Sequence, residues 1–286
     1  MRIKSILSKN KPLIITVGFA CLSLVLWIVT ATEVRIADFF LNLFACFTAS
    51  AITVGIVDRI SRKREEEQLV PIRQAIYRDI QLLCVRVIYL WQEMYIQSQE
   101  DRSEITVEQL FSSEIISKIY SSLDLEGEPS ILPKRTWFMY IDECSGEMKV
   151  MSESILDRYS FFLPPVLMQA IHYTLTDCVF THGRLKVVSS LLAMDKRYNI
   201  PRPPTLISYL GSPQEKDFEA VHQLLNWCQQ EYAYLSSKGA IVYPLVSNVT
   251  ILNPHIPPSS IIDEGKLTEY EQAYEAWSHS SPKFEE

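Results

Sequence analysis

His172 and His182 flank Asp177 and Cys178 in one stretch of this sequence. These are the residue types of a buried general base with an orienting carboxylate, or of a metal-ligand set. The stretch follows Pro165, which suits the first position of a helix because its missing N–H costs nothing there. Leu167, Ile171, Leu175, Cys178, His182, Leu185, Val188 and Leu192 continue at helical spacing. On such a helix ten residues turn through about 1,000°. The two imidazoles then point roughly 80° apart and cannot hold one metal without ligands from other helices. His182 sits on the apolar stripe, where a core histidine bonded to a neighbouring helix is expected. The alternative is a polar site in which His182 works beside Asp177.

The other histidines offer less. His222 lies off the stripe of its own helix, and His255 and His279 fall in an extended tail. Glu65, Glu66 and Glu67 form a solvated face rather than a cation site. The sequence has no phosphate-cradling G-x-x-x-x-G-K-[ST] loop, no G-x-G-x-x-G turn, no G-x-S-x-G elbow and no H-E-x-x-H pair. Its eight glycines leave little material for loops that wrap phosphates. Six cysteines are scattered without a C-x-x-C pair, which suits small core residues in a reducing compartment. No metal, cofactor or catalytic residue is expected.

Two long runs without a charge dominate the first 57 residues, Leu13 to Ala31 and Phe39 to Val57. As helices each reaches about 28 Å, the thickness of a hydrocarbon core. Trp27 falls near the outer end of the first, where an amphipathic ring suits the interface. Arg2, Lys4, Lys9 and Lys11 precede the hairpin, and Arg59, Arg62, Lys63 and Arg64 follow it. The turn between holds only Arg35 among Glu33 and Asp38. This asymmetry places both termini in the cytoplasm. A cleaved signal peptide ending near Val29-Thr30-Ala31 is the rival, but the apolar run is too long for it. Even then the second run would stop transfer and leave the remainder cytoplasmic. Ala45 and Ala49, and Ala51 and Gly55, stand four apart, a spacing that lets helices approach closely. Asn42 is the one amide within the second run.

Asp58 to Gln68 (DRISRKREEEQ) continues as a juxtamembrane helix whose basic turn can lie against anionic headgroups. Pro71 is expected to start or kink the next helix. Beyond it, Ile72, Ile76, Ile80, Leu83, Val87, Leu90 and Met94 form one apolar face. Further helices fit Thr106 to Leu123, with Phe111, Ile115 and Ile119, and Arg135 to Phe161, with Ile141, Cys144, Met148, Met151 and Ile155. The last fits Ser212 to Gly239, opened by Ser212-Pro213-Gln214-Glu215 as a capping box. Lys196 to Gly211 and Ala240 to Ile262 should run extended, and Leu267 to Trp277 as a short helix. The expected fold is mainly α: a two-helix transmembrane hairpin, then an antiparallel cytosolic helical bundle with extended loops. Its parts are residues 1–57 (hairpin), 58–70 (juxtamembrane helix), 71–239 (bundle) and 240–286 (extended segment with a short helix).

Residues 58–286 carry 22 basic and 32 acidic residues, a charge that repels nucleic acid. Ile56-Val57-Asp58-Arg59-Ile60, the RKREEE that follows, and the junction from Leu156-Asp157-Arg158-Tyr159 to Leu163-Pro164-Pro165 carry a resemblance. The chain resembles a broad group of uncharacterised bacterial membrane proteins with an N-terminal hairpin and a cytosolic helical region. The resemblance covers most of the chain and implies an inner-membrane location, but no activity. The expected role is a non-catalytic interaction or sensing module. Its partners are membrane lipid and either another protein or a second copy. The alternatives are a membrane-perturbing oligomer and, last, an enzyme acting near the bilayer. If the exit charges decide topology, changing Arg59, Arg62, Lys63 and Arg64 together to glutamine removes up to roughly 4 kcal/mol of lipid attraction. Protease treatment of isolated membranes should then find a protected fraction of the body, or poor accumulation; uniform accessibility at normal abundance would show that these charges do not set it.

Overall fold

The structure, a computed structural model, describes residues 11–29, 34–100, 103–249 and 258–280, apart from the side chains of 11–14, 34, 37, 62 and 280. Arg2, Lys4, Lys9, Thr30 to Glu33, Thr250 and His255 lie outside the described residues, as do the side chains of Lys11 and Arg62. The chain is mainly helical. In order it forms α1 (Lys11–Val29), α2 (Val34–Ser98), β1 (Ile105–Thr106), α3 (Val107–Leu110), α4 (Ser113–Ser122) and α5 (Trp137–Tyr159). Then follow α6 (Pro165–Thr176), α7 (His182–Tyr198), α8 (Leu206–Leu210), α9 (Glu215–Ser237), β2 (Asn248–Val249) and α10 (Glu264–Ser280). Two compact units divide the chain, Met1–Ile72 and Arg73–Glu286.

In the first unit Phe19 of α1 stacks on Phe47 of α2, ring centroids 5.4 Å apart. Ala20 and Ser23 are buried, and Ser23 returns its hydroxyl proton to the Phe19 carbonyl at 2.8 Å. That bond lets a serine sit in an apolar helix without an unsatisfied donor. Phe44, Phe47, Thr48, Ala51 and Gly55 are half-covered, whereas Asn42, Ala45 and Ala49 are exposed. The two small-residue pairs therefore lie on different faces.

α2 remains helical through Pro71, where the sequence suggested a start or a kink. Strong helix formers precede the proline, and its missing N–H forfeits one hydrogen bond in a very long ladder. The boundary between the units nevertheless falls at the next residue, Ile72. From Arg73 onward α2 is the central helix of the second unit. Its expected stripe is buried from Ile76 to Met94, and Tyr77, Cys84, Ile88 and Trp91 are buried with it. Such a wide apolar face needs covering on several sides. α5, α6, α7 and α9 supply the other long helices, with α5 against α6 and α7, and α6 against α7 and α9.

Two expected helices are broken by polar side chains. Thr106 to Leu123 divides into α3 and α4, because Thr106 and Gln109 form a reciprocal cap and the Ser112 hydroxyl accepts from Ile115 N–H at 3.4 Å. Such side chains compete with the helix ladder. The helix expected from Pro165 to Leu192 also divides. α6 ends at Thr176 and α7 begins at His182, so the rotation argument for His172 and His182 no longer applies. Thr181 donates to the Thr174 carbonyl at 2.7 Å, and the Val179 N–H donates to Asp217 at 3.1 Å. Phe180, in this break, packs edge-on against Trp91, Phe111 and Phe218. Trp91 Nε1 donates to its carbonyl at 2.9 Å.

The remaining differences are smaller. α7 runs on to Tyr198 and α8 interrupts the segment expected to be extended; Asn199, at φ 51°, closes α7 in the left-handed region that asparagine tolerates. α9 is capped by Gln214, not Ser212, since the Asp217 carboxylate reaches back to the Gln214 N–H at 2.8 Å. Within the tail, β2 pairs antiparallel with β1, Ile105 opposite Val249. Gly183 lies where α7 starts. A Cβ there would stand 2.5 Å from Asp177 N and 2.6 Å from Cys178 N, so only glycine lets the two backbones approach. Gly183→Ala should destabilise residues 73–286 by about 2–3 kcal/mol, an overpacking penalty. Urea unfolding of that fragment checks it; an unchanged midpoint would mean the break relaxes freely.

Candidate functional site

Asp177 and His182, the two residues of the alternative polar site, stand at the ends of the break between α6 and α7. Asp177 terminates α6, with its N–H donating to the Tyr173 carbonyl at 3.1 Å, and its side chain is exposed. His182 opens α7, half-buried, with Nδ1 3.0 Å from Ser145 Oγ and 3.1 Å from the Ser145 carbonyl oxygen. The carbonyl can only accept, so an Nδ1–H donated to it leaves Nδ1 no lone pair for the serine proton. In that tautomer the imidazole is no base for Ser145. Burial lowers the His182 pKa, with Lys186 adding repulsion. The structure thus gives His182 a helix-to-helix bond, to α5, and does not turn it towards Asp177. His172 is exposed.

Asp217, which the sequence did not single out, is a heavily bonded carboxylate of the second unit. It is buried, and it accepts from Tyr173 Oη at 3.1 Å, Val179 N–H at 3.1 Å and Gln214 N–H at 2.8 Å. Burial and then this carboxylate push the Tyr173 hydroxyl pKa up, which keeps it a donor. Ion pairs fasten other segments. Arg73 clasps buried Glu231 with both nitrogens, at 2.6 and 2.5 Å, and lies 3.8 Å over the Tyr234 ring. Arg202 clasps buried Asp195 at 3.0 and 3.4 Å and donates to the Ser208 carbonyl. Arg86 pairs with Glu147, and Arg135 with Glu143, on either side of Cys144.

Three buried thiols of the second unit are held in their unreactive form. Burial pushes Cys178 up to about 12 and also raises Cys144; Cys84 is raised by its contact with Cys228, Sγ to Sγ 3.8 Å, and by burial. Nucleophilic chemistry needs thiolate. Among the described residues, no three His, Cys, Asp or Glu side chains converge as metal ligands. Comparisons of the chain with protein-family models, with curated proteins and with solved structures find no match.

The surfaces of the two units offer more than their interiors. Among the described residues one helix is long and apolar enough to cross a membrane, α2 from Asp38, and Ile15–Val29 is a shorter apolar helix. Their outward side chains include Ile15, Phe19, Leu22, Phe39, Ile52 and Val57, all exposed. Trp27 is half-buried; Arg59, Lys63 and Arg64 are exposed, and Lys63 stands 3.8 Å from Glu67. On the second unit, α2 and α5 leave a groove of about 190 Å³ lined by Leu82, Val150, Met151 and Ile155. Asp79 stands at one end, accepting from Tyr159 Oη at 2.9 Å. Phe161 and Phe162 follow, both exposed. Sequence reading passed over them, although two adjacent aromatics ahead of Pro164-Pro165 cannot both lie on one buried stripe.

His182 gives the testable consequence. Its folded pKa lies below the ordinary value near 6.5. Below that value the unfolded chain binds the proton more readily, so stability is fully present above the unfolded value and falls as pH drops from there through the folded pKa. His182→Ala should cost about 1 kcal/mol at pH 7.5, one partly buried hydrogen bond. It should also flatten the stability curve between pH 7 and 5. A variant with the wild-type pH profile would show that another group titrates there.

Proposed function

We propose that this chain is a membrane-tethered helical module. α1 and the apolar part of α2 form a hairpin across the bilayer, with both ends cytoplasmic, and residues 73–286 are a non-catalytic interaction or sensing body. The observation that carries this reading is the exposed apolar surface of the first unit. Phe39, Ile52, Ile56 and Val57 are all more than half exposed, a surface stable in hydrocarbon and costly in water. The basic residues at the two flanks supply the orientation. Cross-helix pairs support an antiparallel bundle for the body: Arg86 to Glu147 and Asp79 to Tyr159 join α2 to α5, and Arg73 to Glu231 and Cys84 to Cys228 join α2 to α9. The interior supports a body without chemistry, since its histidine, thiols and carboxylates are engaged in holding elements together.

A second reading, association of copies within the membrane, is favoured by the exposure of Asn42 beside Ala45 and Ala49. An amide facing lipid without a partner is costly, and a second copy brings the matching amide at the same depth. Topology tests the main reading directly. Reporter fusions after residue 11 and after residue 70 should both be active as cytoplasmic reporters and silent as external ones. External activity from the second fusion would reverse the placement of everything beyond it.

A further inference from the structure

α10 differs from the other long helices of the second unit. Each of those buries apolar side chains, whereas among the described residues of α10 none is buried. Two segments ahead of it are held through their backbones. Residues 241–244 are strapped to α2 by their carbonyls: Gln74 Nε2 donates to Ile241 O at 2.8 Å, Tyr77 Oη to Tyr243 O at 2.6 Å, and Gln81 Nε2 to Tyr243 O at 2.9 Å. Residues 260–262 are fixed in the same way. Ser260 donates its N–H to the Gln97 carbonyl at 3.3 Å and accepts from the Asp124 N–H at 2.9 Å, and the Ile262 N–H donates to the Ser122 carbonyl at 2.9 Å. Ser260 and Ile262 are buried. Asp263 then opens the helix, its carbonyl accepting from Leu267 N–H at 2.8 Å and its carboxylate from Lys266 N–H at 3.0 Å. Beyond it no backbone hydrogen bond joins α10 to the rest of the described residues.

Side chains on one face hold α10 in place. Lys266, Leu267, Tyr270, Tyr274 and Trp277 are half-buried at the spacing of a single helical stripe, and the residues between them are exposed. Lys266 Nζ lies 3.0 Å from Asp124 and 3.5 Å from Glu126, and the Tyr270 hydroxyl donates to Glu126 at 3.2 Å. One turn on, the Tyr274 ring lies 5.7 Å from the Arg202 guanidinium, which also stands 5.4 Å from the Tyr209 ring. Tyr209 is 8% exposed and packs edge-on against Phe138 at 5.4 Å. Burial and then Asp195 push its hydroxyl pKa up, and Glu126 adds to that. Tyr209 and α10 therefore share two neighbours, Arg202 and Glu126.

We infer that α10 is a hinged latch, which turns about Ile262–Asp263 and leaves the seat made by Asp124, Glu126, Arg202 and Tyr209 while the remainder of the second unit stays folded. Half-exposed ion pairs contribute little to stability, and a helix that buries no side chain completely belongs to the weakly held part of a domain. The hinge is defined because the fixed segment ends where the helix begins. Lys266, Tyr270 and Tyr274 stand on successive turns of one face, so they part from the seat together. Closed, the latch covers Tyr209 and one side of Arg202. Open, it frees two faces at once: the stripe of Leu267, Tyr270, Tyr274 and Trp277, and the aromatic seat with its arginine. Asp195 keeps its clasp on Arg202 in either state and preserves the shape of the seat. Nothing in this device depends on the first unit or on a membrane.

Hydrogen exchange on the full chain in detergent micelles tests the latch. Amides of residues 267–277 should exchange as one set, on the order of a hundredfold faster than those of α9 around Leu224 and Cys228. Lys266→Ala should speed that set several-fold further and leave α9 unchanged. Tyr274→Ala, at a second half-exposed contact, should do the same. Hydroxyl-radical footprinting reads the seat, where oxidation of Tyr209 should rise several-fold in both variants. Exchange of α10 at the rate of α9 would overturn the inference, because the helix then opens only with the whole unit. Acceleration of α9 along with α10 in the variants overturns it for the same reason. Unchanged oxidation of Tyr209 also overturns it, since α10 then frays from Ser280 inward without leaving its seat.

Discussion

Asp217 is the group on which the arrangement of the second unit depends. Moving a carboxylate out of water costs several kcal/mol unless donors replace the water it loses. Here the replacements are a tyrosine hydroxyl from α6, a backbone N–H from the break before α7, and the N–H that opens α9. Satisfying one charge therefore fixes three elements at once. The break cannot straighten into helix without taking the Val179 N–H away from a buried anion. With the break in place, Phe180 reaches the ring cluster of Trp91, Phe111 and Phe218, and Gly183 closes against the Asp177–Cys178 backbone.

Ionic and polar groups elsewhere act in the same manner. Glu231 and Asp195 are buried, each matched by a two-pronged arginine that also lies against an aromatic ring. Removing one partner of such a pair leaves a buried charge uncompensated, which makes these pairs structural fasteners whatever their net contribution. Ser145 and His182 join α5 to α7 by the same logic with neutral groups.

Periodicity revealed the helices because burial is what periodicity encodes. Ile76, Ile80, Leu83, Val87, Leu90 and Met94, and Ile141, Cys144, Met148 and Ile155, are buried as their spacing implies. The break at 177–181 was not legible in that way. Cys178 and Leu185 continue a helical stripe on paper, and the carboxylate that overrides it lies in α9, distant in sequence. The local hints were Thr174, Thr176, Asp177 and Thr181, residues that bond to their own backbone, followed by Gly183. For the candidate polar site the loss was greater. The stripe position of His182 suggested a bond to a neighbouring helix, and the alternative paired it with Asp177 by proximity along the chain; its partner, Ser145, belongs to a helix that no spacing rule connects to it. Long-range straps such as Gln74 to the Ile241 carbonyl have no signature at all, because any residue supplies a carbonyl.

Those straps impose an order in time. α2 leaves the ribosome early, yet the groups that cover it come from Cys228, Glu231 and the carbonyls of 241–244. At typical elongation speeds that is a wait on the order of ten seconds. Through that interval Tyr77, Cys84 and their neighbours have only part of their native surroundings. A helix completed by the last quarter of its own chain folds slowly for its size, since the long loop must close before any contact rewards it. During synthesis the side chains of Gln74, Tyr77 and Gln81 wait longest for their partners, and a chain truncated shortly before Ile241 would leave all three without the carbonyls of 241–244.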